Sequence, residues 1–252
     1  MKKFFLISTL FGAMVLALSS CMDDKEPVYY VWNEPAITDS LNNVPVIKTA
    51  YGTYAAPTLP ATMPRGTHLW VSFILDKGNQ PNNGSLLTVS SLKHQKIGTS
   101  HVEIISGEMP GNEDEYTDSI MKIDLCNSYI GNVLYFGFSQ EAPEGQQFEY
   151  RLICNIDSVS EKDNIPTLYI KSKRVGSRPA GSDKKTVVNY GFDMTPFIES
   201  YHLFEGDRPT TSSLITFKLK YKIGTFNGED YYESYKKNPI HWRRTTYMEQ
   251  EN

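Results

Sequence analysis

The feature that most constrains the fold of this chain is an alternation of apolar and polar side chains with a period of two. It is clearest from Leu214 to Lys222, where apolar side chains at 215, 217, 219 and 221 alternate with mostly polar ones. A period of two is that of a β-strand, whose successive side chains point to opposite faces of the sheet. The segment is therefore predicted to be a strand with one face on a core and the other, lysine-bearing face in water.

The same kind of signal recurs along most of the chain. His68–Asp76 is rich in the β-branched and aromatic residues that favour strands. Further strands are predicted at 85–92, 98–106, 130–139, 147–157, 167–173 and 187–194. The pair at 130–139 and 147–157, separated by a short turn with Pro and Gly, predicts a hairpin. The predicted class is all-β.

A single segment, 194–203, has the signals of a helix. Thr195 is the predicted N-cap residue and Pro196 the first helical residue.

The segment 107–115 is the predicted domain boundary, because it combines Gly, Pro and acidic residues without apolar periodicity. The region before it has too few predicted strands for a large sandwich but enough for a small barrel. The region after it has the size and strand number of a β-sandwich. The predicted organisation is an OB-like β-barrel at 45–110 followed by a β-sandwich at 116–245.

The N-terminus predicts secretion and attachment to a lipid. Two lysines precede an apolar run from Phe4 to Leu18, and the following Ser-Ser-Cys resembles the cleavage site of a bacterial lipoprotein signal, with Cys21 then acylated. A membrane-spanning helix needs about 20 apolar residues, so an anchor through Cys21 is favoured over a span. Residues 1–20 are predicted to be the signal peptide and 21–44 a lipidated tether that holds the protein on a membrane.

An acidic cluster follows the predicted acylation site. Asp23, Asp24 and Glu26 resemble the surface-export signal of Bacteroidota lipoproteins. The alternative is a solvated tether that happens to be charged. The first interpretation predicts a protein anchored in the outer membrane and exposed on the cell surface.

Charge excludes one class of partner. Removal of residues 1–20 takes away Lys2 and Lys3 and leaves 23 basic against 29 acidic side chains, a formal net charge of −6. Nucleic acids and anionic lipid surfaces both require a basic footprint. Neither is expected to bind this protein.

Two cysteines besides Cys21 leave the redox state open. If 130–139 and 147–157 form a hairpin, Cys154 lies opposite residue 132, and Cys126 lies about 20 Å further along at the rise of a strand. Two buried thiols are therefore favoured, although a bend at 127–128 would allow a disulfide.

The sequence contains no recognisable catalytic or cofactor motif. The five histidines lack metal-ligand spacing, and no phosphate-binding loop, dinucleotide-binding fingerprint or nucleophile elbow is present. Residues 111–115 with Asp118 carry oxygen ligands suited to calcium but not the spacing of an EF-hand, which favours a solvated linker. A non-enzymatic protein without a cofactor or metal is expected.

Aromatic residues near the C-terminus are the candidate binding residues. Tyr231, Tyr232, Tyr235 and Trp242 lie among lysines and arginines, a mixture that can stack on sugars or hold a protein partner. The alternative is a last strand whose aromatic side chains cover the core. Tyr29, Tyr30 and Trp32 raise the same question at the other end of the mature chain.

Three short motifs resemble the O-glycosylation sequon of Bacteroidota, which is Asp, then Ser or Thr, then an apolar residue. They place candidate glycans on Ser40, Ser119 and Ser158. At least one of these hydroxyls is expected to be modified in the native host.

The order of these features is similar to that of a known family. Residues 129–138 (YIGNVLYFGF), then 150–152 (YRL) and 190–194 (YGFDM), resemble the second half of NigD-like lipoproteins of Bacteroidota. The resemblance implies an N-terminal OB-type domain and a C-terminal β-sandwich. It adds little chemistry, because the family takes its name from a bacteriocin-associated operon and its role is unassigned.

Three functions follow as alternatives. The first is a surface lipoprotein that binds or assembles with an unknown protein or glycan partner. The second is a lipoprotein that binds or processes carbohydrate. The third, implied by the family name alone, is a protein of bacteriocin immunity or envelope stress.

Overall fold

The computed structural model describes residues 27–81, 86–109, 116, 118–125, 130–158, 165–201, 214–227, 229–236 and 239–243. The predicted signal peptide, Cys21, the acidic cluster at 23–26 and Cys126 lie outside these residues. Within the described part no helix is long and apolar enough to cross a membrane.

Strands make up nearly all of the regular structure, which confirms the all-β class. They are β1 (Val28–Leu41), β2 (Val44–Thr49), β3 (Gly52–Ala55), β4 (His68–Asp76), β5 (Ser90–Lys96), β6 (Gly98–Ile105), β7 (Lys122–Leu125), β8 (Val133–Ala142), β9 (Gln147–Asn155), β10 (Thr167–Val175), β11 (Lys184–Asp193), β12 (Leu214–Phe226), β13 (Glu229–Ser234) and β14 (Ile240–Arg243). A 3₁₀ turn at Ile156–Ser158 follows β9, and the helix α1 (Thr195–Ser200) follows β11.

The first five strands form a curled sheet in the order β3-β2-β1-β4-β5. A parallel bridge from Ala55 to Thr88 brings the two ends of this sheet together. Ala55 N–H donates to Leu87 O at 2.8 Å, and Ala55 O accepts from Val89 N–H at 2.9 Å. Five strands closed in this way make the partly open barrel that the sequence predicts. Apolar side chains from β1, β2 and β4 and from the loops fill its interior.

The limits of this barrel differ from the predicted domain limits. β1, which lies in the predicted tether, is the central strand of the barrel, between β2 and β4. β6 was predicted to belong to the barrel domain but pairs with β9 and β11 of the second sheet. The chain therefore leaves the barrel at Ile97, and the acidic segment 107–115 follows a strand of the sandwich.

The remaining strands form a folded nine-stranded sheet in the order β13-β12-β10-β9-β6-β11-β8-β7, with β14 paired to β12. Its two halves face each other as a sandwich. Aromatic side chains of both halves meet in the core, where the rings of Phe138 from β8 and Tyr150 from β9 stack with centroids 4.1 Å apart. A sandwich after a barrel is the arrangement predicted from the sequence.

β6 is the strand that joins the two halves. Its first residues pair in parallel with β11, from Gly98 opposite Tyr190 to His101 opposite Asp193. Its last residues pair in parallel with β9, from Val102 opposite Leu152 to Ile105 opposite Asn155. The residues of β9 before Leu152 and those of β11 before Tyr190 have no strand-pairing partner in β6, and there the two strands diverge.

The predicted hairpin of 130–139 and 147–157 is wrong. β8 pairs with β7 and β11, whereas β9 pairs with β10 and β6, so the turn at 143–146 carries the chain from one half of the sandwich to the other. Both strands bury large aromatic side chains, and such strands satisfy the same apolar pattern when they face each other as when they are neighbours.

The helix is shorter than predicted and differently capped. Thr195 is its first residue rather than its N-cap, and the N-cap position is Met194. The carboxylate of Asp193 accepts hydrogen bonds from Thr195 N–H at 2.9 Å and from the Thr195 hydroxyl at 2.6 Å. An acidic side chain two positions before Thr195 thus accepts from one of the free N–H groups at the start of the helix, a function that the Thr195 side chain was expected to serve.

Candidate functional site

A groove lies at the junction of barrel and sandwich. It has a volume of about 780 Å³ and is lined by residues 95–99, 145–149, 175 and 186–190. We refer to it as the junction groove. It lies where β9 and β11 diverge, beside the first residue of β6. On the groove side, residues 147–149 of β9 and 184–189 of β11 pair with no strand of the described chain.

The junction groove has an apolar base and a polar rim. Ile97, Phe148 and Tyr190 are buried along its base. The rim carries amides and hydroxyls with one cation and one carboxylate: Gln95, Lys96, Thr99, Gln147, Glu149, Thr186 and Asn189. Glu149 is already engaged, with Lys173 at 3.4 Å and the Tyr116 hydroxyl at 3.4 Å. A groove of this composition suits a ligand with many neutral hydrogen-bonding groups.

Gln146 is the buried polar residue of the junction groove. Its side-chain amide donates to the backbone carbonyls of Gln147 and Val175, both at 3.0 Å, which ties the start of β9 to the end of β10. Its Oε1 is buried and accepts no hydrogen bond from any described residue. A buried acceptor without a donor is costly, and such atoms are often kept for a functional reason.

The candidate binding aromatics of the C-terminal segment do not form one surface. Trp242 is 4% exposed and lies in the sandwich core. Tyr232 packs edge-on against Tyr169 of β10, with ring centroids 5.1 Å apart. The Tyr235 hydroxyl accepts a hydrogen bond from Leu125 N–H at 3.3 Å. Tyr231, at 48%, is the most exposed of the four.

Lys222, predicted to face water, is instead 2% exposed within a buried charge cluster. Asp230 of β13 contacts both Lys222 Nζ at 2.5 Å and Lys171 Nζ at 3.1 Å. β13 pairs with β12 and supplies the carboxylate that pairs with both buried lysines and offsets the cost of their burial. Burial raises the pKa of Asp230, but hydrogen bonds from Lys222, Lys171 and Thr225 outweigh it and leave the pKa below its usual value.

The contacts of His101 do not form a catalytic triad. His101 Nδ1 lies 3.1 Å from Asp193 Oδ2, and the Thr195 hydroxyl donates to the other oxygen of the same carboxylate. The carboxylate therefore stands between imidazole and hydroxyl, so that the histidine cannot take the hydroxyl proton directly. In the described part of the chain, no three His, Cys, Asp or Glu side chains are grouped to hold a metal ion.

The remaining predicted sites are spread over the molecule. Ser40 is half-buried beside a smaller pocket of about 240 Å³ at the hairpin of β1 and β2, and Ser119 is exposed. Ser158 ends the 3₁₀ turn after β9. Cys154 is a buried free thiol, and burial raises its pKa to about 12. The acidic segment 111–115 lies outside the described residues, and Asp118 pairs with Arg174 at 3.5 Å.

Sequence reasoning missed the junction groove entirely. Its lining comes from β5 and β6, the start of β9 with the turn before it, the end of β10, and β11, and no spacing in the sequence brings these together. The one available signal was the pair Gln146-Gln147 directly before an aromatic strand, which is too common to be informative.

Comparison with solved structures gives the fold a context. An uncharacterized protein from Parabacteroides merdae superposes with a TM-score of 0.63 at 12% identity, covering 87% of this chain and 100% of that one. A protein from Bacteroides fragilis, assigned as a lipoprotein, has a TM-score of 0.57 at 13% identity, covering 88% and 100%. These TM-scores show a shared fold over most of this chain and the whole of each matched chain. Because the identities are low, the likeness shows the fold alone.

A NigD-like immunity protein from Bacteroides caccae is also among the matches, with a TM-score of 0.48, 14% identity, and coverage of 88% and 100%. It carries the family name that the sequence resembles, but at this score it supports no inference about function. No protein-family model matches the sequence, and a search of curated proteins found no match.

Proposed function

We propose that this chain is a non-enzymatic, lipid-anchored lipoprotein of the bacterial cell envelope that binds its ligand in the junction groove. The anchor is Cys21, the outer membrane is its site, and Asp23, Asp24 and Glu26 direct it to the cell surface. Support for the anchor comes from the N-terminal sequence and from the shared fold of a B. fragilis protein assigned as a lipoprotein.

The observation that carries the binding role is the junction groove itself. It combines a buried apolar base, a rim of amides and hydroxyls, and the buried Oε1 of Gln146, which accepts no hydrogen bond from a described residue. A ligand that supplies a donor there would satisfy an acceptor that the protein leaves without one. The exposed edges of β9 and β11 flank the same groove and offer backbone groups to an extended ligand.

A second candidate, carbohydrate binding, is favoured by the rim. Gln95, Gln147, Asn189, Thr99 and Thr186 are neutral donors and acceptors, which match the hydroxyl groups of a sugar chain. The buried rings of Phe148 and Tyr190 leave little face for a sugar to stack on. The rim therefore favours hydrogen-bonded recognition of a glycan over stacking.

A site-specific photo-crosslinker in the native host tests both candidates. A benzophenone amino acid replaces Val187, which is 60% exposed on the groove rim, and separately replaces Met121, which is 49% exposed and does not line the groove. We expect an adduct at 187 and none at 121, with the adduct's mass and fragments distinguishing a protein from a glycan. Equal adducts at both positions, or none at 187, would contradict the groove as the binding site.

A further inference from the structure

The first strand of the barrel exposes aromatic side chains that the fold does not use. Tyr29 is 45% exposed, Tyr30 61% and Trp32 67%, and Val28 beside them is 44% exposed. Tyr29 lies opposite Leu75 and so shares the face of Val31, whereas Tyr30 and Trp32 share the outer face, and we refer to Tyr30 and Trp32 as the aromatic strip. A Trp and a Tyr exposed together on one face of a strand are unusual for a surface that meets only water.

The strand holds the aromatic strip in a fixed position. Tyr30 lies opposite Ile74 and Val31 opposite Phe73 in the antiparallel pair of β1 and β4. Val31 packs against the barrel core, so the alternation of a strand directs Tyr30 and Trp32 to the outer face. Just beyond Trp32, Asn33 N–H donates to the Ser72 hydroxyl at 3.0 Å. Tyr30 thus lies on paired backbone, and Trp32 lies in the bulge between Val31 and Glu34 of the same strand.

The anchor keeps the aromatic strip close to the bilayer. Six residues, 22–27, separate Cys21 from Val28. Even fully extended, this length of chain reaches about 25 Å. This step rests on the acylation of Cys21 that we propose above. Val28, Tyr29 and the strip are the exposed apolar and aromatic side chains of the described barrel that are nearest in sequence to the lipid.

Charge indicates which kind of membrane surface the strip meets. Residues 22–27 carry three acidic side chains and one lysine, which disfavours an anionic surface. Lys77 Nζ lies 5.0 Å from the centre of the Tyr29 ring and places one cation at the N-terminal end of β1. Tyr and Trp concentrate at the level of lipid headgroups, where an apolar ring and a polar N–H or O–H are both accommodated.

We propose that the aromatic strip inserts into the headgroup region of the zwitterionic phospholipid bilayer that anchors Cys21. A flexible lipid tether alone leaves the orientation of the protein undefined. This contact fixes it, with the N-terminal end of β1 at the membrane. Leu41, nine residues beyond Trp32 on the same strand, then lies about 30 Å from Trp32 at the rise of a strand.

Quenching of tryptophan emission by brominated lipid tests this contact. The acylated mature protein is bound to phosphatidylcholine vesicles with and without bromine on the acyl chains, and the emission of Trp32 is taken as the difference between wild type and W32F. We expect loss of the Trp32 emission in the brominated vesicles and a blue shift in both. The other two tryptophans provide the background, since Trp242 is in the sandwich core and Trp70 packs against the cluster of Ile97, Ile130 and Tyr135.

A matched control is L41W in the W32F background, which moves an exposed tryptophan to the far end of β1, where Leu41 is 50% exposed. Its emission is expected to be the same in both vesicle types. Unchanged Trp32 emission, or equal quenching at both positions, overturns the proposal. A blue shift that depends on protein density rather than on bromine overturns it as well and assigns the strip to a second copy of the chain.

Failure of the anchor is distinguishable from failure of the strip. The intact mass of the native protein reports acylation independently of any vesicle. If the protein carries no acyl chain, the same quenching experiment is run on the chain from residue 21 with a lipid coupled to its N-terminal amine. Quenching at Trp32 then supports the strip although the native anchor is refuted, and its absence refutes the strip.

Discussion

Asp230 holds two buried lysines at the edge of the sandwich. Its carboxylate contacts Lys171 and Lys222, which are 1% and 2% exposed. Buried ions are tolerated when they are paired and hydrogen-bonded, and removal of one partner leaves the others in a poorly solvating environment. The strand pattern predicted Lys222 in water because it reports the two faces of one strand and not what later covers them.

We expect D230N to lower the free energy of unfolding by about 3–5 kcal/mol, because it removes the carboxylate that both ammonium groups contact. Urea denaturation of the two proteins at pH 7 measures the difference. The matched control is D124N, whose carboxylate is 64% exposed and pairs with Lys122 at 2.7 Å. Exposed pairs contribute at most about 1 kcal/mol, so equal effects of the two substitutions would contradict a structural role for the buried cluster.

Among the elements, β6 decides the architecture. It is short, yet it pairs with β11 through its first half and with β9 through its second half, and so joins the two halves of the sandwich. Its start at Gly98 was predicted from the sequence, as were both ends of β4. Its partners were not, because a strand's own residues do not specify which strand lies beside it when both candidates bury similar apolar side chains.

Gly98 is the point at which β6 meets the sandwich core. A Cβ at this position would lie 2.6 Å from Cε2 of Tyr190, whose ring is held between those of Tyr150 and Phe192. We expect G98A to destabilise the fold by about 1–3 kcal/mol through overpacking. G137A is the control, since its nearest neighbour is the Asn189 side chain at 3.4 Å. Chemical denaturation of both variants tests this. Equal stability of G98A and G137A would show that the Tyr190 ring moves aside without cost and would contradict the prediction.

At the scale of the whole molecule, a small mixed interface joins barrel and sandwich. His68 of β4 and the Tyr135 hydroxyl of β8 lie 2.8 Å apart, next to the apolar cluster of Ile97, Ile130 and Tyr135. Burial lowers the pKa of His68 from 6.5, and the charge of Asp193 only partly offsets this. The neutral imidazole is therefore the form that the folded interface favours.

The pH dependence of stability follows from that shift. Because the pKa of His68 is lower in the folded than in the unfolded protein, the unfolded state binds the proton more tightly. The stabilisation of the fold that depends on neutral His68 is complete above pH 6.5. It is lost as the pH falls through the pKa of His68 in the folded protein. We expect H68Q to flatten the pH dependence of the free energy of unfolding just below pH 6.5, measured by urea denaturation at a series of pH values. H94Q, at an exposed position of β5, is the control and should leave the slope unchanged; a wild-type slope in H68Q would refute the assignment.

The sequence by itself determined the secondary structure class, the positions of β4, β6 and β8–β12, and the barrel-then-sandwich order, because these depend on local propensity and on the period of apolar side chains. It also predicts, from the N-terminal residues alone, the lipid anchor that the described structure does not include. Only the tertiary structure decided the partners of β8 and β9, the burial of Lys222 and the junction groove. Each of these depends on segments far apart in the chain, and the free energy that selects among their arrangements comes from packing between strands rather than from any one strand.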